Sequence, residues 1–169
     1  NYVASLRWGR SQYVIHGFSA DQFPSLPDVA GASVFTVSQS LLRDLLRQTT
    51  FAAGHDESKP WLTGVLFKLR ENKITGTATD SVRIAHAEST VENPNDHAFS
   101  IIIPSRSLNE VTRLLTGDAE SQVRVSVTAN QVFFDLGKMR VISRLLEGQY
   151  PDVMRLVPQS YPTDAVLPR

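Results

Sequence analysis

The sequence predicts an α+β fold in which one strand–helix–three-strand unit is used twice. Two observations predict it. A short apolar run leading straight into a helix start occurs twice, near residues 35 and 99, and each time three extended stretches follow, separated by turn residues. A third observation is a longer echo. Asp21-Gln22-Phe23-Pro24 is answered by Gly148-Gln149-Tyr150-Pro151, each preceded by paired extended stretches, the first pair at 2–7 and 12–16.

In the first pass Phe35-Thr36-Val37 is a buried-strand pattern, and Ser38 is a good N-cap, because its hydroxyl can accept from a free amide of the first helical turn. Leu41, Leu42, Leu45, Leu46, Thr49 and Ala53 then recur at helical spacing. Strands are expected at Gly64–Arg70, Lys73–Thr79 and 82–89, with Glu71-Asn72 turning the chain between the first two. In the second pass 99–103 is a buried strand, and Pro104-Ser105 opens a helix carrying Leu108, Val111, Leu114 and Leu115. Strands follow at 122–128, 131–136 and 138–145, broken at Ala129-Asn130 and Gly137. The alternation Val123, Val125, Val127 marks a half-buried strand.

Composition narrows the function classes. The chain has 169 residues, 41% of them apolar, enough for a real core. It has no cysteine, so disulfides and thiolate metal sites are excluded, and a reducing compartment fits. No apolar run approaches the ~20 residues of a membrane-spanning helix. Seventeen basic and seventeen acidic residues cancel, which argues against a polycation that coats nucleic acid but allows a local basic face. Such faces are expected on both helices: Gln39, Arg43, Arg47 and Thr50 on the first, Arg106, Asn109, Glu110 and Arg113 on the second, with Asp44 and Glu110 opposing the arginines.

Four stretches, in order and suitably spaced, carry a resemblance. They are Trp61-Leu62-Thr63-Gly64-Val65-Leu66-Phe67; Thr77-Ala78-Thr79-Asp80-Ser81-Val82-Arg83-Ile84-Ala85; Ile103-Pro104-Ser105-Arg106; and Ser143-Arg144-Leu145-Leu146-Glu147-Gly148-Gln149-Tyr150-Pro151-Asp152. Together they resemble the bacterial DNA polymerase sliding clamps, the β subunits of DNA polymerase III. The resemblance implies the DNA-clamp fold, with two helices on one face of antiparallel sheets. It implies that 1–34 is the end of a first clamp domain, 35–158 the middle domain, and 159–169 a linker and the first strand of a third, a chain cut at both ends. Three such domains make half of a ring, and a head-to-tail homodimer encloses duplex DNA with helices inward.

The same resemblance implies a non-catalytic, cytoplasmic processivity factor without cofactor or metal. Its partners would be double-stranded DNA, held without sequence preference, the replicative polymerase catalytic subunit, the clamp loader, and repair polymerases that dock short peptides. Arg43, Arg47, Lys59, Arg106 and Arg113 become candidates to face DNA, where they would attract phosphates in a salt-sensitive, sequence-independent way. Leu62, Thr79, Ser81, Val82, Arg83, Ile84, Pro151, Arg155 and Leu156 become the middle-domain wall of a peptide pocket, an apolar socket with arginines at its rim. Many members carry glycine and histidine where this chain has Ser81 and Val82, so its peptide preference is expected to differ.

Two other readings use the same residues. His55-Asp56-Glu57 with Asp80 and His86 could suggest an acid–base or metal cluster, but the spacing fits no metal motif, and no phosphate loop or nucleophile elbow is present. A β-rich protein-interaction scaffold that never meets nucleic acid would keep the repeat but leave arginines on both helices without a reason.

Overall fold

The apolar run before each helix does form a strand, but it does not pair within its own repeat. The computed structural model describes residues 2–23, 32–158, 160 and 163, in two units, Asn1–Ala30 and Gly31–Arg169. Pro24 of the longer echo and the strand expected near 165–169 lie outside the described residues.

The first unit is a hairpin of β1 (Val3–Trp8) and β2 (Ser11–His16), antiparallel from Val3 opposite His16 to Trp8 opposite Ser11. Its apolar side chains Leu6, Trp8, Tyr13 and Ile15 are exposed.

In the second unit, β3 (Ser33–Ser38) leads into α1 (Gln39–Thr49), and β4 (Gly64–Arg70), β5 (Lys73–Thr79) and β6 (Ile84–Thr90) follow. The repeat then supplies β7 (Phe99–Pro104), α2 (Ser105–Leu114), β8 (Gln122–Val127), β9 (Gln131–Asp135) and β10 (Arg140–Arg144). Two antiparallel sheets result, ordered β6-β5-β4-β7 and β10-β9-β8-β3. Each takes three consecutive strands from one repeat and the leading strand from the other. The registers match: Ser38, Val37 and Phe35 lie opposite Gln122, Val123 and Val125, as Pro104, Ile103 and Ile101 lie opposite Gly64, Val65 and Phe67. The exchange puts Phe35 against Phe99, with ring centroids 5.7 Å apart.

One core joins both sheets and both helices. It includes Val37, Leu46, Phe67, Leu108, Val125 and Phe134, all buried. Helix α1 buries Leu42, Leu45, Leu46 and Thr49 at helical spacing. The buried Thr49 hydroxyl donates to the Leu45 carbonyl at 2.8 Å, so it leaves no orphan group in the core. Ser38 caps as expected, accepting from the Leu41 amide at 3.3 Å. Pro104 sits one position outside α2, as its cap residue, and Ser105 is the first helical residue.

Two strands of the repeats start two residues later than expected. The third strand of the first repeat begins at Ile84 rather than Val82, because the Asp80 carboxylate accepts from the Val82 and Arg83 amides and holds them in a turn. Its counterpart begins at Arg140 rather than Lys138. Gly137, at φ 87°, donates its amide to the Asp135 carboxylate, which keeps 137–138 in the loop.

The last segment is fastened across the first sheet. The Leu146 amide donates to Ile102 O at 2.8 Å. At the crossing a Cβ on residue 64 would lie 2.7 Å from Ile103 O and 2.8 Å from Leu146 Cδ1, so only glycine fits. Four residues on, the Tyr150 hydroxyl accepts from the Thr79 amide at 3.0 Å.

Phe35→Ala removes a buried ring from the strand that closes the second sheet. It should cost about 3–5 kcal/mol in denaturant unfolding, whereas an exchanged strand of little consequence would cost far less. Tyr150→Phe should cost about 1–3 kcal/mol, because the Thr79 amide loses its acceptor. Burial pushes the Tyr150 phenol above its ordinary value, and the Thr79 amide only partly opposes this. A raised pKa contributes stability that is complete below the unfolded value near 10 and is lost as pH rises through the folded value. The wild type should therefore lose melting temperature above about pH 10 relative to Tyr150→Phe. Parallel curves would show that the phenol is not held neutral by the fold.

Candidate functional site

The loop between β5 and β6 is built by its own hydrogen bonds. Buried Thr79 donates its hydroxyl to Arg83 O at 2.7 Å and accepts from the Ser81 amide at 3.1 Å. The Asp80 carboxylate accepts from the Val82 and Arg83 amides, both at 3.0 Å, and from Arg83 Nε at 3.0 Å. These donors, the Arg83 amide first and the Val82 amide next, hold the Asp80 carboxyl below the usual carboxylate range. Ser81 takes φ 79°, a left-handed conformation that favours glycine.

This bracing holds Val82 out at the loop tip, 93% exposed, with Ile84 exposed just beyond it. The Arg83 guanidinium carbon lies 5.8 Å from the Phe51 ring centroid, so the arginine is steered by both Asp80 and the ring. Leu62 stands beside the loop, on a single 3-10 turn at Pro60–Thr63. Its carbonyl accepts from the Gly54 amide at 2.7 Å, and Gly54 also packs toward the Asp80 backbone. The tyrosine bond to Thr79 brings Pro151 to the same end of the sheet.

Of the residues expected to form a pocket, Thr79, Ser81, Val82, Arg83 and Ile84 share this loop, Leu62 is linked to it through Gly54, and Pro151 follows Tyr150, whose hydroxyl reaches Thr79. Arg155 and Leu156 lie on the next turn, Val153–Leu156, anchored by buried Val153. Arg155 pairs with Asp152 at 2.7 Å, and among the described residues no hydrogen bond or ion pair ties it to the 79–84 loop. Leu62 is only 7% exposed and acts as support under the loop; Val82, Ile84 and Leu156 present the apolar surface. Phe51 and Tyr150 were missed as parts of this site. Phe51 carries a faint signal in the sequence, an aromatic just past the last helical turn; Tyr150 stands out as the echo of Phe23, but only its bond to Thr79 ties it to this loop.

The expected basic faces divide into two kinds. Arg47, Lys59 and Arg106 are exposed, and none of them makes a salt bridge among the described residues. Arg113 is exposed but paired with Glu110 at 2.8 Å. Arg43 is half-buried and donates through Nη1 to Thr116 O at 3.2 Å. Gln39 corrects the expectation outright: it is 7% exposed, and its side-chain oxygen accepts from the Thr116 amide and hydroxyl at 2.9 and 2.8 Å.

The imagined acid–base cluster is dispersed into local roles. Asp56 accepts from the Ser58 amide, Asp80 braces its loop, and His86 Nδ1 bonds the Thr77 hydroxyl at 2.8 Å. Among the described residues no three His, Asp or Glu side chains could share a metal, and no helix is long and apolar enough to cross a membrane.

Residues 36–152 match the family model of the DNA polymerase III beta subunit, central domain. Curated relatives include the beta sliding clamps of Bacillus subtilis, 34% identical over 98% of this chain and 44% of that protein, and of Halalkalibacterium halodurans, 39% identical over 96% and 43%. Among solved structures the B. subtilis sliding clamp superposes with a TM-score of 0.82 at 35% identity, over 94% of this chain and 42% of that one. A Pseudomonas aeruginosa sliding clamp bound to griselimycin gives 0.80 at 26% identity, over 95% and 43%. The chain thus spans less than half the length of these relatives. These likenesses show that the chain belongs to the family of the DNA polymerase III β subunit and carries its central domain.

Proposed function

We propose that this chain is the central part of a DNA sliding clamp, a processivity factor that holds by enclosure and performs no chemistry. On this reading residues 1–34 end a first clamp domain, 35–158 are the middle domain, and 159–169 enter a third. The exposed apolar side chains of the β1–β2 hairpin support the first assignment, since they suit strands that belong to a larger domain. The full-length protein would act in the cytoplasm as a homodimeric ring around duplex DNA. It would dock the replicative polymerase, the clamp loader and repair polymerases through short peptides.

The observation that carries the proposal is the basic surface of two adjoining helices that share one core with antiparallel sheets. Arg47 on α1 and Arg106 on α2 are exposed and without an ionic partner among the described residues. Phosphates attract such groups irrespective of sequence, and a clamp that slides must not read bases. Lys59 and Arg113 extend the surface, with Arg113 charge-balanced by Glu110. The peptide wall is the braced 79–84 loop with Pro151, Arg155 and Leu156. Val82 presents an apolar side chain at the exposed loop tip, which favours a peptide residue without a hydrogen-bonding need there.

In the full-length protein, Arg47→Ala with Arg106→Ala should weaken DNA binding alike on unrelated sequences and flatten the salt dependence by about one unit of slope per lost phosphate contact. An unchanged slope would show that these helices do not face the duplex. Ile84→Asp should weaken a short peptide with an apolar C-terminal anchor by about 2 kcal/mol or more in a titration, because a carboxylate would face an apolar ligand unpaired. Arg155→Ala should cost less, since its charge is mostly solvated and already paired with Asp152. Equal affinity of wild type and a well-folded Ile84→Asp variant would place the peptide site elsewhere.

A further inference from the structure

We propose that Arg43 is a positioning residue: its guanidinium locks the segment joining α2 to β8 onto α1, and it does not act as a phosphate ligand. Four observations converge on the lock. Arg43 Nη1 donates to Thr116 O at 3.2 Å. Its Nε is buried and has no hydrogen-bond partner among the described residues, so that edge of the guanidinium faces inward. Gly117 adopts φ 79°, and a Cβ there would overlap the Arg43 guanidinium, which occupies the space that the missing side chain leaves. One turn earlier on the same helix face, the Gln39 side-chain oxygen takes both the amide and the hydroxyl of Thr116.

The lock sits where the two repeats depend on each other. The Gln39 amide donates to Ser121 O at 2.8 Å, and the next residue, Gln122, pairs with Ser38, the cap of α1. Gln39 and Arg43 therefore hold the exit of α2, the entry of β8 and the start of α1 as one body. A phosphate would have to share the guanidinium with the Thr116 carbonyl on Nη1, while Nε faces inward. Arg47, one turn further along α1, is exposed and has no such constraint. The basic face thus contains a strut and contacts, two roles that the same residue type conceals. The part of this inference that concerns DNA rests on the clamp reading; the strut itself does not.

The test uses the full-length protein with two readouts, amide hydrogen exchange of residues 115–121 and the salt dependence of DNA binding. Arg43→Gln should speed exchange in 115–121 at least tenfold and leave the salt slope at its wild-type value. Arg47→Gln should leave that exchange unchanged and flatten the slope. Unchanged exchange in Arg43→Gln together with a flattened slope would overturn the proposal. Faster exchange in Arg43→Gln with no slope change in any arginine variant would leave the strut standing and count against the DNA reading instead.

Discussion

The second unit depends on the reciprocal exchange of leading strands between its two repeats. Strand β3 opens the first repeat but pairs with β8 of the second, and β7 opens the second but pairs with β4 of the first. Neither sheet can be completed by one repeat alone, so the three-strand meander of each would keep an open edge and an uncovered apolar face. The shared core follows from this, since Phe35, Val37, Ile103 and the inward residues of β4 and β8 meet beneath both helices. The helices in turn are fixed side by side, because each starts at the end of an exchanged strand.

The candidate peptide wall is built on that frame from short, locally braced pieces. The 79–84 loop spends the polar groups of Thr79 and Asp80 on its own backbone, which leaves apolar Val82 and Ile84 facing outward. A loop ordered before a ligand arrives loses less entropy on binding than one that must be ordered by it. Ser81 in a left-handed conformation shows the cost of that bracing, a backbone that prefers glycine held in place by its neighbours. Tyr150 and Gly64 fasten the end of the unit to the same corner, so the candidate wall is assembled from three distant stretches of chain.

Much of the fold was legible in the sequence because periodicity reports burial directly. Strands β4 and β5 were read to their ends from the Glu71-Asn72 turn, and the buried faces of α1 and β8 from the spacing of leucines and valines. The partner of β3 was not legible, since Phe35-Thr36-Val37 announces a buried strand without naming its neighbour. The apolar side chain of Val82 fits a strand's alternation, whereas the Asp80 carboxylate decides the turn. Gln39 and Arg43 look like surface groups in the sequence because they share the polar side of a helix. What buries Gln39 is a loop 77 residues away in sequence, and spacing along one helix carries no information about it. The pocket residues came from the resemblance; sequence chemistry by itself did not separate Leu62 the support from Leu156 the exposed contact.

The central claim is that this domain belongs to a ring that holds DNA by enclosing it, with its helix arginines supplying weak, sequence-blind attraction. The most direct measurement is the dwell time of the full-length protein, loaded on a nicked circle and on the same DNA after linearisation, at a salt concentration that screens phosphate contacts. The account predicts long retention on the circle and rapid loss from the linear form through its free ends. Equal dwell times on both would contradict it, because attraction without enclosure does not distinguish a circle from a line.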